Sequence, residues 1–213
     1  MKGIIKVFLA DDHPLILEGI KKILDYEPDL SVIGSTTEGD QVVQEVKRRK
    51  PDVVVLDLSF PEKSGLDLLE DIRGIFPDLP VLILSMYPEQ TFAIRAIKAG
   101  ASGYVTKQMA PEILVKAIRK VARGERFLSP EVMERLVNEL GRNKDRLPHQ
   151  LLSDREFQVM MLLASGKSVK EITEVLSLDA STVYTYRARI LKKMNLKNNS
   201  EIIFYAVKNN LLE

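Results

Sequence analysis

The sequence predicts an α/β domain built on a parallel sheet, followed by a smaller all-α domain. Three observations carry this. Strand-like and helix-like segments alternate five times over about the first 120 residues, the order that a parallel sheet with right-handed crossovers requires. The alternation stops after Gly124. Beyond residue 150 every segment has helical spacing, and two of them open with Ser followed three residues later by Glu, "SDRE" at 153–156 and "SVKE" at 168–171. That pairing is a reciprocal cap for the start of a helix.

The predicted strands are IIKVFLA (4–10), LSVIG (30–34), VVVLD (53–57), VLILS (81–85) and GYVT (103–106). The third opens with an unbroken apolar run, Val53–Leu56, flanked by turn formers at Pro51-Asp52 and Pro61, the pattern of a strand buried on both faces. Helical spacing predicts Pro14–Asp25, Asp40–Arg49, Leu66–Phe76, Glu89–Ala99 and Pro111–Arg123 between and after them. In the first, Leu15, Ile16, Gly19, Ile20, Ile23 and Leu24 recur at three- and four-residue intervals. After Gly124, "SPEVMERLVNEL" predicts a helix with Ser129 as N-cap and Pro130 at its first position. "GRNKDRLPHQ" (141–150) reads as an exposed linker. Asp179 is placed to cap a helix that runs to Met194, and Asn199–Leu211 makes a fourth. The expected division is therefore 1–124, a helical linker over 125–150, and 151–213.

Composition narrows the function. The 213 residues are 45% hydrophobic and 29% charged, with a net charge of +1, so any attraction to nucleic acid or membrane must come from local segregation of charge. There is no cysteine, which excludes disulfides and thiolate zinc sites. His13 and His149 are the only histidines, too few for a multi-histidine metal centre. The apolar run at the N-terminus meets Asp11 and Asp12 too soon for a signal peptide or a membrane span. The expectation is a cytoplasmic protein with no membrane partner.

Ligands of parallel α/β sheets gather at the carboxyl ends of the strands. There this sequence puts Asp11 and Asp12 after the first strand, Asp57 at the third, Ser85 at the fourth and Lys107 after the fifth. Taken singly, each has an ordinary explanation as a helix cap, a strand end or a solvated lysine. Together they predict a site. Three converging carboxylates repel one another, and a hard divalent cation such as Mg²⁺ resolves the repulsion. His13, just before Pro14, reads as a helix-start residue.

Asp11-Asp12, Asp57 with Pro61 and Gly65 behind it, Ser85, Tyr104 and Lys107 resemble the receiver domain of bacterial response regulators over residues 4–123. The resemblance implies a flavodoxin-like five-stranded parallel sheet in the order 2-1-3-4-5, and phosphoryl transfer from a histidine kinase to Asp57. It also implies that Asp11, Asp12 and Asp57 hold Mg²⁺ with the main-chain carbonyl of Ser59. Lys107 would contact the phosphoryl oxygens, Ser85 would bond them on arrival, and Tyr104 would turn inward as the switch aromatic. Phosphoryl transfer needs placement and charge neutralisation more than covalent help, and these residue types supply both. Phe60 departs from the family, which often has Met there.

Residues 179–199 carry Arg187, Arg189, Lys192, Lys193 and Lys197 against Asp179 alone, a local excess of positive charge. Val183, Ile190, Leu191 and Met194 share one side of the predicted helix. The other side shows Thr185, Ala188, Arg189 and Lys192, with Tyr184 at its border, a face suited to a DNA groove. The expected DNA-contacting set is Thr182, Tyr184, Thr185, Ala188, Arg189, Lys192 and Lys193. The stretch from Leu152 to Asn198 resembles the LuxR-type helix-turn-helix domain, through "LSDRE", Gly166, "KEI" (170–172), Leu176, "STV" (181–183), "ILKKM" (190–194) and Leu196. A receiver followed by this module is the NarL/FixJ layout. Tyr184 and Tyr186 stand where many members have Lys and His, and Val169 replaces a frequent Asn, so the family's consensus DNA site does not transfer.

A dinucleotide enzyme would need Gly-x-Gly-x-x-Gly after the first strand, where this chain has Ala10-Asp11-Asp12-His13-Pro14. An aspartyl phosphohydrolase would want a second acid two residues after the nucleophile, where Ser59 stands. The reading is a DNA-binding response regulator that dimerises when phosphorylated and promotes no chemistry beyond its own Mg²⁺-dependent phosphorylation and dephosphorylation. The alternative is a regulator that binds DNA without phosphorylation and uses its receiver as a dimerisation scaffold.

Overall fold

Five strands, β1 (Ile5–Ala10), β2 (Leu30–Thr36), β3 (Val53–Leu56), β4 (Val81–Ser85) and β5 (Gly103–Thr106), form one parallel sheet in the order β2-β1-β3-β4-β5. The computed structural model describes residues 3–61, 63–141 and 147–212. It divides into two compact units, Met1–Val137 and Asn138–Glu213. The sheet lies in the first unit with α1 (Pro14–Asp25), α2 (Val42–Arg49), α3 (Gly65–Ile75), α4 (Glu89–Lys98) and α5 (Pro111–Val121). The strand order is the one the sequence implied. Asp40 falls in a single 3-10 turn before α2, and β3 ends at Leu56, one residue short of Asp57.

Side chains alternate across the sheet, which sorts its core into two layers. Val7, Leu9, Val53, Val55, Leu82, Leu84 and Val105 cluster with Leu17, Ile20 and Leu24 of α1 and Leu114, Val115 and Ile118 of α5. The intervening Phe8, Val54, Leu56, Ile83 and Tyr104 are equally buried and face the other side. Burying both faces explains the unbroken apolar run of β3. Each such Val or Leu contributes about 1.5–3 kcal/mol.

Gly65, at the start of α3, is required by close approach. A Cβ there would lie 2.1 Å from the Asp57 carbonyl oxygen and 2.5 Å from Leu58 Cα. The start of α3 is thereby pressed against the loop that leaves β3.

Residues 125–137, which the sequence assigns to a linker, belong to the first unit. Phe127 forms a parallel bridge with Gly103: its N–H donates to the Ser102 carbonyl and its carbonyl accepts the Tyr104 N–H, both at 3.0 Å. The helix α6 (Pro130–Gly141) starts here. Ser129 Oγ accepts the Val132 N–H, and the Ser129 N–H donates to the buried Glu89 carboxylate at 2.9 Å.

The second unit holds α7 (Asp154–Ala164), α8 (Val169–Leu176), α9 (Ala180–Met194) and α10 (Asn199–Lys208). Both Ser-Glu capping boxes form, at Ser153/Glu156 and Ser168/Glu171, and Asp179 caps α9 by accepting the Thr182 N–H at 2.9 Å. Of the expected exposed linker, residues 142–146 lie outside the described residues, and 148–151 form a 3-10 turn. There His149 Nδ1 lies 2.9 Å from the Tyr205 hydroxyl of α10. No helix among the described residues is long and apolar enough to cross a membrane.

Candidate functional site

The strand ladder sets the acids. Ala10 pairs with Leu56, and Ser85 with Thr106, so Asp11 and Asp57 leave adjoining strands side by side while Lys107 emerges next to Ser85. The hydrogen bonds continue one residue past each strand. Asp57 N–H donates to the Ala10 carbonyl and Lys107 N–H to that of Ser85, both at 2.8 Å, and Asp11 N–H donates to Thr36 at 3.2 Å.

Lys107 Nζ lies 2.8 Å from Asp57 Oδ2 and 2.7 Å from Asp11 Oδ2, with its side chain 4% exposed. The other Asp57 oxygen accepts the Leu58 N–H at 2.7 Å. Asp57 is 1% exposed. Burial raises its carboxyl to about 6; the Lys107 charge opposes the rise and the Asp11 and Asp12 charges add to it. Burial alone would lower Lys107, but the Asp57 and Asp11 carboxylates outweigh it and hold the ammonium above its ordinary value.

Three carboxylates gather here beside one ammonium, which contacts two of them, Asp11 and Asp57. Asp11 Oδ2 and Asp12 Oδ1 are buried atoms without a hydrogen-bond partner. Asp11 Oδ2 meets the Lys107 ammonium at 2.7 Å as an ion pair. Ligand atoms from Asp11, Asp12, His13 and Asp57 lie within 4.8 Å of one another. Hard oxygen donors with uncommitted lone pairs and too little positive charge fit a divalent cation. His13 stands at the N-cap of α1 yet caps nothing. Its N–H donates to Asp11 Oδ1 at 2.9 Å and its Nδ1 sits 2.6 Å from Asp12 Oδ1, a place beside the acids that its sequence context did not reveal.

Ser85 and Tyr104 are both fully buried. Ser85 Oγ accepts the Tyr87 N–H at 3.1 Å, and the Tyr104 hydroxyl donates to the Tyr87 carbonyl at 2.9 Å. Both side chains therefore hold one residue of the loop after β4, from its two sides. Burial pushes the Tyr104 phenol far above its ordinary value. Ser59 is half-buried two residues after Asp57. Phe60 is buried with its ring against Gly39.

In the second unit α8 and α9 are joined by Ser177–Asp179, with Ser177 left-handed at φ 50°, and form the expected helix-turn-helix. Val183, Ile190 and Met194 of α9 are buried. Tyr184, Thr185, Ala188, Arg189, Lys192 and Lys193 are exposed and Thr182 is half-buried. The exposed cations differ in their commitments. Lys193 Nζ pairs with the buried Glu156 carboxylate of α7 at 2.6 Å, and burial of Glu156 is outweighed by that ammonium and the Ser153 N–H, which keep its pKa low. Arg187 Nε donates to Asn199 Oδ1 at 2.7 Å. Arg189 and Lys192 have no partner among the described residues.

Residues 7–119 match the response regulator receiver domain family, and residues 150–206 match the bacterial regulatory proteins of the luxR family. The oxygen regulatory protein NreC of Staphylococcus carnosus is 35% identical over 215 residues, which cover 98% of this chain and 99% of NreC. A LuxR-family two-component response regulator from Aurantimonas sp. is 31% identical, with a TM-score of 0.60, over 66% of this chain and 100% of its own. The response regulator RcsB of Salmonella enterica serovar Typhimurium, bound to promoter rprA in the presence of the phosphomimetic BeF3-, is 25% identical with a TM-score of 0.62. That match covers 95% of this chain and 98% of RcsB.

Proposed function

Because this chain belongs to the response regulators that join a receiver domain to a LuxR-family domain, and is thus a DNA-binding regulator of a two-component system, we propose that Asp57 is its phosphoacceptor. The observation that carries this is the buried Lys107 ammonium shared by Asp57 and Asp11 beside carboxylate oxygens without hydrogen bonds. An Asp57 oxygen attacks the phosphorus of a phosphohistidine on the partner kinase. The O–P bond forms as the P–N bond breaks, and the electron pair leaves with the imidazole. Above about pH 6 Asp57 is ionised, the form that attacks, and Lys107 is in place to meet the phosphoryl oxygens. Asp11, Asp12, Asp57 and the Ser59 main-chain carbonyl would hold Mg²⁺, which when bound neutralises charge on the transferring group.

Phosphorylation gives the Ser85 hydroxyl a charged acceptor for its own proton, and a shift of Ser85 toward it carries along the Tyr87 N–H that Ser85 Oγ accepts. Since Tyr104 is bonded to the same Tyr87, Ser85 and Tyr104 shift as one, biasing a two-state loop. The output is promoter binding through α9 in the cytoplasm, by a homodimer formed on phosphorylation. On α10, Phe204 is 70% exposed and Val207 60%, an apolar face that supports pairing of the DNA-binding domains. Reaction chemistry is confined to the protein's own phosphorylation and dephosphorylation.

The test is selection of genomic DNA fragments by the full-length protein with Mg²⁺, with and without beryllofluoride. Promoter fragments are expected to be retained tightly only with it. Equal retention would favour the phosphorylation-independent regulator. Lys192→Ala is expected to weaken binding at every sequence and to reduce the salt slope by about 1. An unchanged slope would remove Lys192 from the contact surface.

A further inference from the structure

We propose that α9 reads its DNA site chiefly through thymine methyl groups and base amino groups, without the guanidinium–guanine or ammonium–guanine contacts that dominate most major-groove recognition. This rests on the reading of α9 as the recognition helix. Such helices meet base edges with their N-terminal residues. The first seven residues of α9, Ala180–Tyr186, carry no charged side chain, so nothing there can reach guanine O6 and N7 as Arg or Lys does.

The serine and threonine hydroxyls at that end are already committed as donors. Ser181 Oγ donates to Asp179 Oδ1, Thr182 Oγ1 donates to Asp179 Oδ2 at 2.7 Å, and Thr185 Oγ1 donates to the Ser181 carbonyl at 2.9 Å. A hydroxyl has one hydrogen. With it held inside the helix cap, each oxygen offers DNA only lone pairs, which suit the amino groups of adenine N6 and cytosine N4. The outward features that remain are the methyls of Thr185 and Ala188, both exposed, and the Tyr184 ring with its single hydroxyl, 58% exposed. Methyls in the groove complement the C5-methyl of thymine.

The cations fall elsewhere. Arg187 is held by Asn199 and Lys193 by Glu156, leaving Arg189 and Lys192 in the C-terminal half of the helix, where they serve phosphates. Charge supplies affinity there and small apolar groups supply choice of sequence at the other end.

The probe is the duplex site that the full-length, beryllofluoride-loaded protein selects from a random-sequence pool, remade with deoxyuridine for thymidine or with 7-deazaguanine for guanine. Each contacted thymine that loses its methyl is expected to weaken binding about fourfold, whereas loss of guanine N7 costs less than about twofold at bases under α9. Thr185→Val keeps the methyl, replaces the committed hydroxyl by a second methyl, and retains the deoxyuridine penalty. Thr185→Ser loses the penalty at its thymine. A large 7-deazaguanine penalty with no deoxyuridine penalty overturns the inference. If the salt slope still responds to Lys192→Ala, that result leaves α9 as the DNA-binding helix. Failure to select any site, or a slope indifferent to Lys192→Ala, overturns that reading and this inference with it.

Discussion

Asp57→Asn is expected to abolish labelling by acetyl phosphate and Mg²⁺ and to leave a protein more stable than the parent. The first effect follows because the amide is not a nucleophile toward phosphorus. The second follows from where the carboxylate sits. Its ordinary pKa of 3.8 rises to about 6 in the fold, chiefly through burial. The folded state therefore holds this proton more tightly than the unfolded chain does. The stabilisation it gives is fully present below about pH 3.8 and is lost as pH rises through about 6. Above that the parent carries the whole cost of a buried charge, and the amide carries none. The rise of about two units sets a ceiling of about 3 kcal/mol, and a gain of about 1–3 kcal/mol is expected at neutral pH. Urea denaturation at about pH 5 and at about pH 7.5 checks it, with the gap between the proteins larger at the higher pH. Full labelling of the Asn protein would end the assignment of the acceptor.

Lys107→Ala should act in the opposite direction. The ammonium is the only cation within salt-bridge distance of Asp57 among the described residues, and it also faces Asp11. Its removal leaves two buried carboxylates unpaired, a loss of about 3–5 kcal/mol at neutral pH. Protonation relieves that repulsion, so the variant regains stability as pH falls, and does so from a higher pH than the parent's Asp57 titration because Lys107 no longer holds that carboxyl down. Mg²⁺ should restore part of the loss, since a ligand that binds only the folded state stabilises it by mass action. The urea midpoint, read with and without Mg²⁺ at two pH values, separates these effects. A Lys107→Ala protein as stable as the parent and indifferent to Mg²⁺ would show that the three acids need no counter-charge.

The site was legible because its signals are local or follow from sheet geometry. The run Val53–Leu56 announces a doubly buried strand, and an acid immediately after it must lie at the strand's carboxyl end. The strand order that the receiver resemblance implied makes the first and third strands neighbours, and parallel register then brings Asp11 beside Asp57. The helix starts at Ser153, Ser168 and Asp179 were equally readable, since each cap reaches only three residues along the chain. What stayed hidden joins residues far apart. Phe127 is one aromatic in the polar stretch "GERFLSP", with no periodicity to say that it returns to β5. The Glu89 carboxylate stands in the first turn of α4, and only packing supplies its partner Ser129. His149 meets Tyr205 across 56 positions, and Lys193, which sequence placed with the DNA contacts, is held by Glu156 of another helix. Such pairings depend on side-chain reach in the assembled core.

The bridge from Phe127 to β5 covers part of an open sheet edge. β5 is an outer strand, and outer strands offer free N–H and C=O groups to strands of other molecules. Phe127 occupies the Ser102 carbonyl and the Tyr104 N–H, the pair such an intruder would use. A chain cut at Gly124 should therefore form oligomers on warming, seen as a rise in light scattering, while one ending at Val137 stays monomeric under the same conditions. Matching scattering curves would mean that this edge is guarded by something other than the residues that follow it.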